Sequence, residues 1–298
     1  MVAEERAKQH HVLAERLAEY LKVNGSPSSL SPTNGDSRIQ DLLFEITPHR
    51  KLSDLILPKT VQTVCQELIE EHHRIELLRS YNLEPRHRIL LAGPPGNGKT
   101  SLAEAIAEAL MSPLLVVRYE GVVGSYLGET AVRLKRLFDH VRLRRCVLFL
   151  DEFDVLGKER GDVHETGEIK RVVSSLLLQM DALPSHVVVI TASNHPELLD
   201  RAVWRRFQLR LLLPLPEREQ ITEWLRRLEA QIGEPLGHDP ENLSAKLKGL
   251  SFAEVEEFGV DILRRRVLGL PNGNLKMIVA DRLEQWEARF SIKKAAQE

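Results

Sequence analysis

The 298-residue chain sets 41 Lys and Arg against 43 Asp and Glu, a net charge of −2, so it presents no basic field for nucleic acid. Its 43% apolar and 28% charged residues are ordinary for a globular protein, and the length suits an α/β core with a smaller second domain. Two cysteines argue against a disulfide or metal framework, and no run is apolar for long enough to span a membrane.

Met1-Val-Ala-Glu-Glu-Arg has no signal-peptide core, so a cytoplasmic protein is expected. Leu13, Leu17, Tyr20 and Leu21 fall on one side of a short amphipathic helix. From Asn24 to Arg38 the sequence is almost wholly Gly, Pro, Ser, Asn and Thr, a flexible linker with too little apolar surface to pack. Residues 1–38 are thus expected to be a tethered helix that docks on a partner, on its own domain, or on nothing.

Lys51-Leu-Ser-Asp54-Leu-Ile-Leu-Pro58 then leads into a helix. Val61, Val64, Cys65, Leu68, Ile69, His72, Ile75 and Leu78 recur along it at spacings of three and four. His72 on that stripe reads as a core residue rather than a ligand. Both cysteines, Cys65 and Cys146, sit in apolar runs and read as small buried hydrophobes.

The organising stretch is Ile89-Leu-Leu-Ala-Gly93-Pro-Pro-Gly-Asn-Gly98-Lys99-Thr100-Ser101, a strand, a Gly- and Pro-rich loop and the start of a helix. Gly93 to Thr100 fits G-x-x-x-x-G-K-[ST]. In that pattern glycines let backbone N–H groups turn inward around a phosphate, and the helix N-terminus adds favourable partial charge. Lys99 can reach the β- and γ-phosphates, and the Thr100 hydroxyl can ligate Mg²⁺. Pro94, Pro95, Gly96, Asn97, Gly98, Lys99, Thr100 and Ser101 are therefore the expected nucleotide-binding residues.

Leu114–Tyr119 reads as a second strand, and Leu134, Leu137, Phe138 and Val141 mark a helix from about Glu129. Cys146-Val-Leu-Phe-Leu-Asp151-Glu152 is a third strand ending in two acids. By themselves paired acids read as a solvated turn; after a phosphate loop they suit Asp151 on the metal and Glu152 as general base toward water. Ile169, Val172, Val173, Leu176, Leu177 and Met180 mark a helix, then Val187–Asn194 and Gln208–Leu213 give two more strands. Asn194, at a strand end, can hydrogen-bond the γ-phosphate or the attacking water. The alternation implies a mainly parallel five-stranded sheet covered on both faces. After Pro216 only helical patterns remain, ending with Leu275, Ile278, Val279, Leu283, Trp286 and Phe290. The expected divisions are a tether at 1–38, an α/β P-loop NTPase core at 39–215 and a small all-helical second domain at 216–298.

With these motifs in order, the stretch from about Asp41 to Leu270 resembles the AAA family of ATPases within the AAA+ group. Gly93–Thr100 resembles Walker A, Val147–Glu152 resembles Walker B, and Asn194 falls on the sensor-1 position. Thr191–Phe207 is similar to the region that distinguishes the AAA branch, and the resemblance implies that Arg205 and Arg206 are arginine fingers acting on a neighbour's γ-phosphate. A ring, usually a hexamer, is the assembly that such fingers imply. The Leu213–Glu219 run resembles the hinge into the family's lid. Many members have a Pro-Gly between the two arginines; the adjacent pair here is more like the spastin and katanin branch. Gly249–Val255 resembles a stretch near the adenine, with Phe252 where Gly is common.

The resemblance also places Tyr126, Leu127 and Gly128 at a pore loop whose aromatic grips an unfolded polypeptide, and Asp162–Gly167 at a second one. A Tyr packed in its own domain is the plainer alternative for Tyr126, and a surface residue the plainer one for His164. The leading expectation is a ring ATPase that remodels, unfolds or threads protein clients. The chain contains no H-E-x-x-H, C-x-x-C or G-x-S-x-G, so any degradation needs a separate protease or adaptor. Two other classes compete. A loader acting on nucleic acid is supported by Arg133, Lys135, Arg136, Arg142, Arg144 and Arg145 but opposed by the neutral charge. A nucleotide-gated scaffold without turnover is opposed by Lys99, Glu152 and Asn194.

Overall fold

A computed structural model of the chain describes residues 39, 41–118, 127–154, 173–269 and 273–295, with the backbone alone at 127, 128, 202 and 287–295. The expected opening helix and linker, Tyr126, and the 162–167 stretch lie outside the described residues.

Apolar runs of four to seven residues, too short for buried helices, pair into one sheet. Its strands are β1 (Leu43–Ile46), β2 (Arg88–Ala92), β3 (Leu114–Val117), β4 (Cys146–Leu150), β5 (Val187–Ser193) and β6 (Leu209–Leu212). They lie in the order β1-β3-β4-β5-β2-β6. All neighbours are parallel except β1, which runs antiparallel to β3 with Leu43 opposite Val117 and Ile46 opposite Leu114. Every residue of β4 and β5 is buried, as a parallel sheet covered on both faces requires.

The sheet has six strands, not the expected five. β1 escapes a reading of apolar runs because it has four residues and leaves Phe44 and Glu45 outside. Tertiary contacts hold it: the Arg118 guanidinium lies 5.2 Å from the Phe44 ring centroid, Arg118 N–H donates to Leu42 O at 2.9 Å, and Arg144 pairs with Glu45 at 3.1 Å.

Helices α1 (Lys59–His73), α2 (Ile75–Ser80), α3 (Lys99–Ala109), α4 (Leu127–Val141), α5 (described over 173–181) and α6 (Arg201–Trp204) complete this part. The apolar stripe expected to run unbroken to Leu78 is cut at Arg74, whose φ of −110° and ψ of 31° end α1. Its register still holds: Val61, Cys65, Leu68 and His72 are buried, and His72 Nε2 donates to Arg86 O at 2.8 Å.

Successive residues on a strand face opposite sides, so Leu148 joins one core with Phe138, Met180 and Phe207. Val147 and Phe149 join the other, with Leu68, Leu102 and Ile106. Burial pushes the Cys65 and Cys146 thiols up to about 12, which leaves both inert at neutral pH.

Helices α7 (Arg218–Ile232), α8 (Pro240–Lys246), α9 (Phe252–Leu268) and α10 (Leu275–Ala295) enclose a third core that includes Leu225, Val255, Phe258, Ile262 and Val279. Their ends carry local signals. Gly233, at φ 82°, stops α7; Asp239 accepts from Glu241 N–H to start α8; Ser251 and Glu254 form a reciprocal capping box on α9. α7 and α9 approach closely where Gly259 meets the Trp224 indole, leaving no room for a Cβ.

Candidate active site

The neighbouring parallel strands β4, β5 and β2 all end at one edge of the sheet, with Leu150 opposite Thr191 and Ala92 opposite Ser193. Three segments therefore converge there: the glycine loop after β2, the two acids after β4 and Asn194 after β5. Ligands of open α/β sheets bind at such carboxyl ends.

The loop glycines serve different needs. Gly93 has φ 143°, and a Cβ there would overlap the Leu213 carbonyl. At Gly96 the angle is 76°, and a Cβ would come 2.9 Å from Ser251 Oγ. Gly98 has φ 81° with nothing within 4 Å of a Cβ, so backbone conformation alone demands it as it opens α3.

Lys99 is 7% exposed, and its Nζ donates to Gly93 O at 2.7 Å and Pro94 O at 2.9 Å. Burial holds its ammonium below the ordinary lysine value, against the opposing pull of Asp151 and Asp154. The Thr100 hydroxyl donates to Asp151 Oδ2 at 3.3 Å, so the two expected metal ligands adjoin. Glu152 N–H donates to Asp151 Oδ1 at 2.9 Å, and its own φ of 48° is left-handed, a strained position for a non-glycine residue. The next residue anchors the turn: Phe153 N–H bonds to Ala192 O at 2.9 Å, and its ring meets Phe207 edge-on with centroids 6.4 Å apart.

Asp154 is a site residue the motif reading passed over. It is 7% exposed, and its Oδ1 accepts from Asn194 N–H at 3.0 Å, which fixes where the Asn194 side chain begins. Only its spacing after Asp151 hinted at this; its partner comes from another strand end.

A cavity of about 650 Å³ gathers the site. Pro95, Gly96, Asn97, Gly98, Lys99, Thr100 and Ser101 line it together with Asp151, Glu152 and Asn194. Pro94 contributes through its carbonyl. The opposite wall comes from α7 and α9, including Trp224, Arg227, Phe252 and Val260. Two hydrogen bonds join that wall to the loop: Ala253 N–H to Gly96 O at 2.9 Å, and Phe252 N–H to Asn97 Oδ1 at 3.2 Å. Arg227 reaches across to Asp54 O at 2.9 Å. Arg50 also lines the cavity, and neither it nor Arg227 carries a local sequence signal for that place.

The two arginines expected as fingers do not line this cavity. Arg205 is exposed, whereas Arg206 pairs with Asp181, which also holds Arg88 at 3.0 Å. Leu127 and Gly128 open α4.

Residues 89–215 match the family described as ATPase family associated with various cellular activities (AAA). The AAA family ATPase y4kL of Sinorhizobium fredii, itself uncharacterized, is 35% identical over 274 residues, covering 90% of this chain and 82% of that protein. The chain belongs to the AAA family of ATPases. This AAA ATPase is also 32% identical to the cell division cycle protein 48 homolog of Archaeoglobus fulgidus over 74% of its own length and 31% of the homolog's. With the ATP-dependent zinc metalloprotease FtsH 1 of Salinibacter ruber it shares 34% identity over 56% of this chain and 25% of that one. Membership makes the chain an ATP-binding and ATP-hydrolysing protein, and the residues expected to do that work meet in the cavity. Among the described residues no helix is long and apolar enough to cross a membrane.

Proposed function

We propose that this AAA ATPase assembles as a homo-oligomeric ring, a hexamer, and uses ATP hydrolysis to remodel protein clients drawn against Tyr126, Leu127 and Gly128, where α4 begins. Residues 39–215 serve as the nucleotide-binding domain, 216–298 as its lid, and 1–38 as a tether available to an adaptor or separate protease. The observation that carries the ring is the exposed Arg205, outside a cavity that already gathers Lys99, Thr100, Asp151, Glu152 and Asn194. A cation so placed can serve the site of a neighbouring copy, where a finger is worth about 10³–10⁵ in rate. Protein as the client is supported by the similarity to an ATP-dependent zinc metalloprotease and by the near-neutral charge.

Within one chain the loop N–H groups and Lys99 hold the phosphates. Thr100 and Asp151 suit Mg²⁺, which would neutralise charge on the β- and γ-phosphate oxygens. Glu152 takes a proton from the attacking water, and Asn194, held by Asp154, orients it. Glu152→Gln should bind ATP without turning it over and should co-purify with a trapped client. Tyr126→Ala should keep hydrolysing ATP but lose processing of that client. If nucleic acid is trapped instead, or if Tyr126→Ala processes clients normally, the protein-remodelling reading fails.

A further inference from the structure

We infer that Arg50 is a nucleotide-binding residue of this chain, its guanidinium contacting the α-phosphate of bound ATP or ADP. The inference rests on the cavity being the ATP site. Arg50 precedes every recognisable motif, yet it lines the cavity, and its Nη1 donates to Ser101 Oγ at 2.6 Å. Ser101 is the third residue of α3, and consecutive helical residues point about 100° apart. Thr100 turns its hydroxyl to Asp151 at 3.3 Å, whereas Ser101 turns its own to Arg50. The acids therefore mark the γ-phosphate end, and Arg50 stands on the other flank of the helix N-terminus. Asp54 and Leu55 continue the cavity wall from there, and Arg227 spans from α7 to Asp54. A phosphate chain laid from the Thr100 side toward that wall brings its α-phosphate to Arg50.

The guanidinium is not needed to attach its own segment. Backbone N–H groups of His49 and Arg50 both donate to Glu104 Oε1, at 3.2 and 3.3 Å. Glu104 Oε2 lies 3.9 Å from Arg50 Nε, an ion pair beyond hydrogen-bond reach, and the Arg50 side chain is 47% exposed. Among the described residues its one hydrogen bond is to Ser101, although a guanidinium carries five donors in a rigid fork suited to phosphate. A second cavity of about 440 Å³, lined by His49, Arg50 and Glu104, gives the side chain room to turn. Glu104 thus competes with the nucleotide for the same cation while independently pinning the segment.

The test is ATP and ADP binding by calorimetry on the full chain, for Arg50→Gln, Glu104→Gln and Lys99→Ala, with KM and kcat measured for the first two. Arg50→Gln should weaken ATP and ADP by the same factor, about tenfold, raising KM while leaving kcat within about twofold. Glu104→Gln keeps an oxygen for the two backbone donors but removes the competing charge, so it should bind nucleotide at least as tightly. Unchanged binding by Arg50→Gln overturns the inference. So does equal weakening by Arg50→Gln and Glu104→Gln, which makes Arg50 a brace for its segment. Weakening of ATP but not ADP moves the contact to the γ-phosphate and refutes the α-phosphate assignment. Lys99→Ala separates the two levels. If it binds normally, the ATP site itself is misplaced; if it alone loses binding, only the role of Arg50 falls.

Discussion

Gly93 and Gly98 belong to one motif, but replacing each with alanine should have different consequences. At Gly98 a Cβ meets nothing within 4 Å, so Gly98→Ala costs only the left-handed backbone penalty, about 1–2 kcal/mol. At Gly93 the same atom overlaps the Leu213 carbonyl, which is backbone and cannot rotate away. Relief requires Leu213 to move, straining its N–H bond to Ala92 O at 2.8 Å and the Gly93 N–H bond to Ser193 O at 3.2 Å. Overpacking of this kind costs about 1–3 kcal/mol, and the φ of 143° adds about 1–3 more. At roughly 2 °C per kcal/mol for a domain of this size, Gly98→Ala should lower the melting temperature by about 2–4 °C. Gly93→Ala should lower it by about 4–12 °C. Leu213 also leads into the helical part through Pro214 and Pro216, so Gly93→Ala should weaken ATP binding beyond the loss seen for Gly98→Ala. Differential scanning calorimetry with and without ATP reads both effects. Equal melting temperatures for the two variants would refute the claim that close backbone contact, rather than conformation alone, fixes Gly93.

Asp154→Ala leaves the half-buried Asn194 N–H without its acceptor, costing about 1 kcal/mol. It should lower kcat with little change in ATP affinity, as steady-state kinetics would report. Burial depresses the His72 and His87 pKa values below the usual 6.5. Below pH 6.5 the unfolded chain therefore binds more protons than the folded one, and stability should fall as pH drops from 6.5 toward the depressed folded values. Melting curves from pH 8 to pH 5 should show this, with a shallower slope in a His72→Gln/His87→Gln variant. Arg205→Ala should cut turnover at an unchanged melting temperature, whereas Arg206→Ala should lower both, because Arg206 and Arg88 share Asp181. Turnover and calorimetry on both variants would check that contrast.

The phosphate loop, the acids after β4 and Asn194 were legible because each signal is local: a spacing, or an apolar run with a polar end. Convergence of the three followed from strand alternation. β1 was not legible, since four residues with two exposed are a strand only beside β3, and that pairing joins residues some seventy positions apart. Asp154 and Arg50 eluded the reading for the same reason; their partners, Asn194 and Ser101, are distant in sequence. Arg74 broke a helix whose stripe gave no warning, because periodicity records which face is buried and not where the backbone turns. Asn97 stood at a variable position of the loop pattern, but it bridges to Phe252, a contact that exists only once α9 has folded back.

The chain has three tryptophans, and the close packing of α7 on α9 distributes them unequally. Trp286 lies edge-on to Phe258 in the helical core, with centroids 6.0 Å apart, and Trp204 packs at the margin of a sheet core. Trp224 alone of the three forms part of the cavity wall, seated where Gly259 leaves space for it. Spectroscopically, the protein therefore has its own indicator: one indole in the wall of the candidate site and another, Trp286, sealed in the helical core as an internal standard. Emission from the unlabelled chain can follow the filling and emptying of its active site in real time.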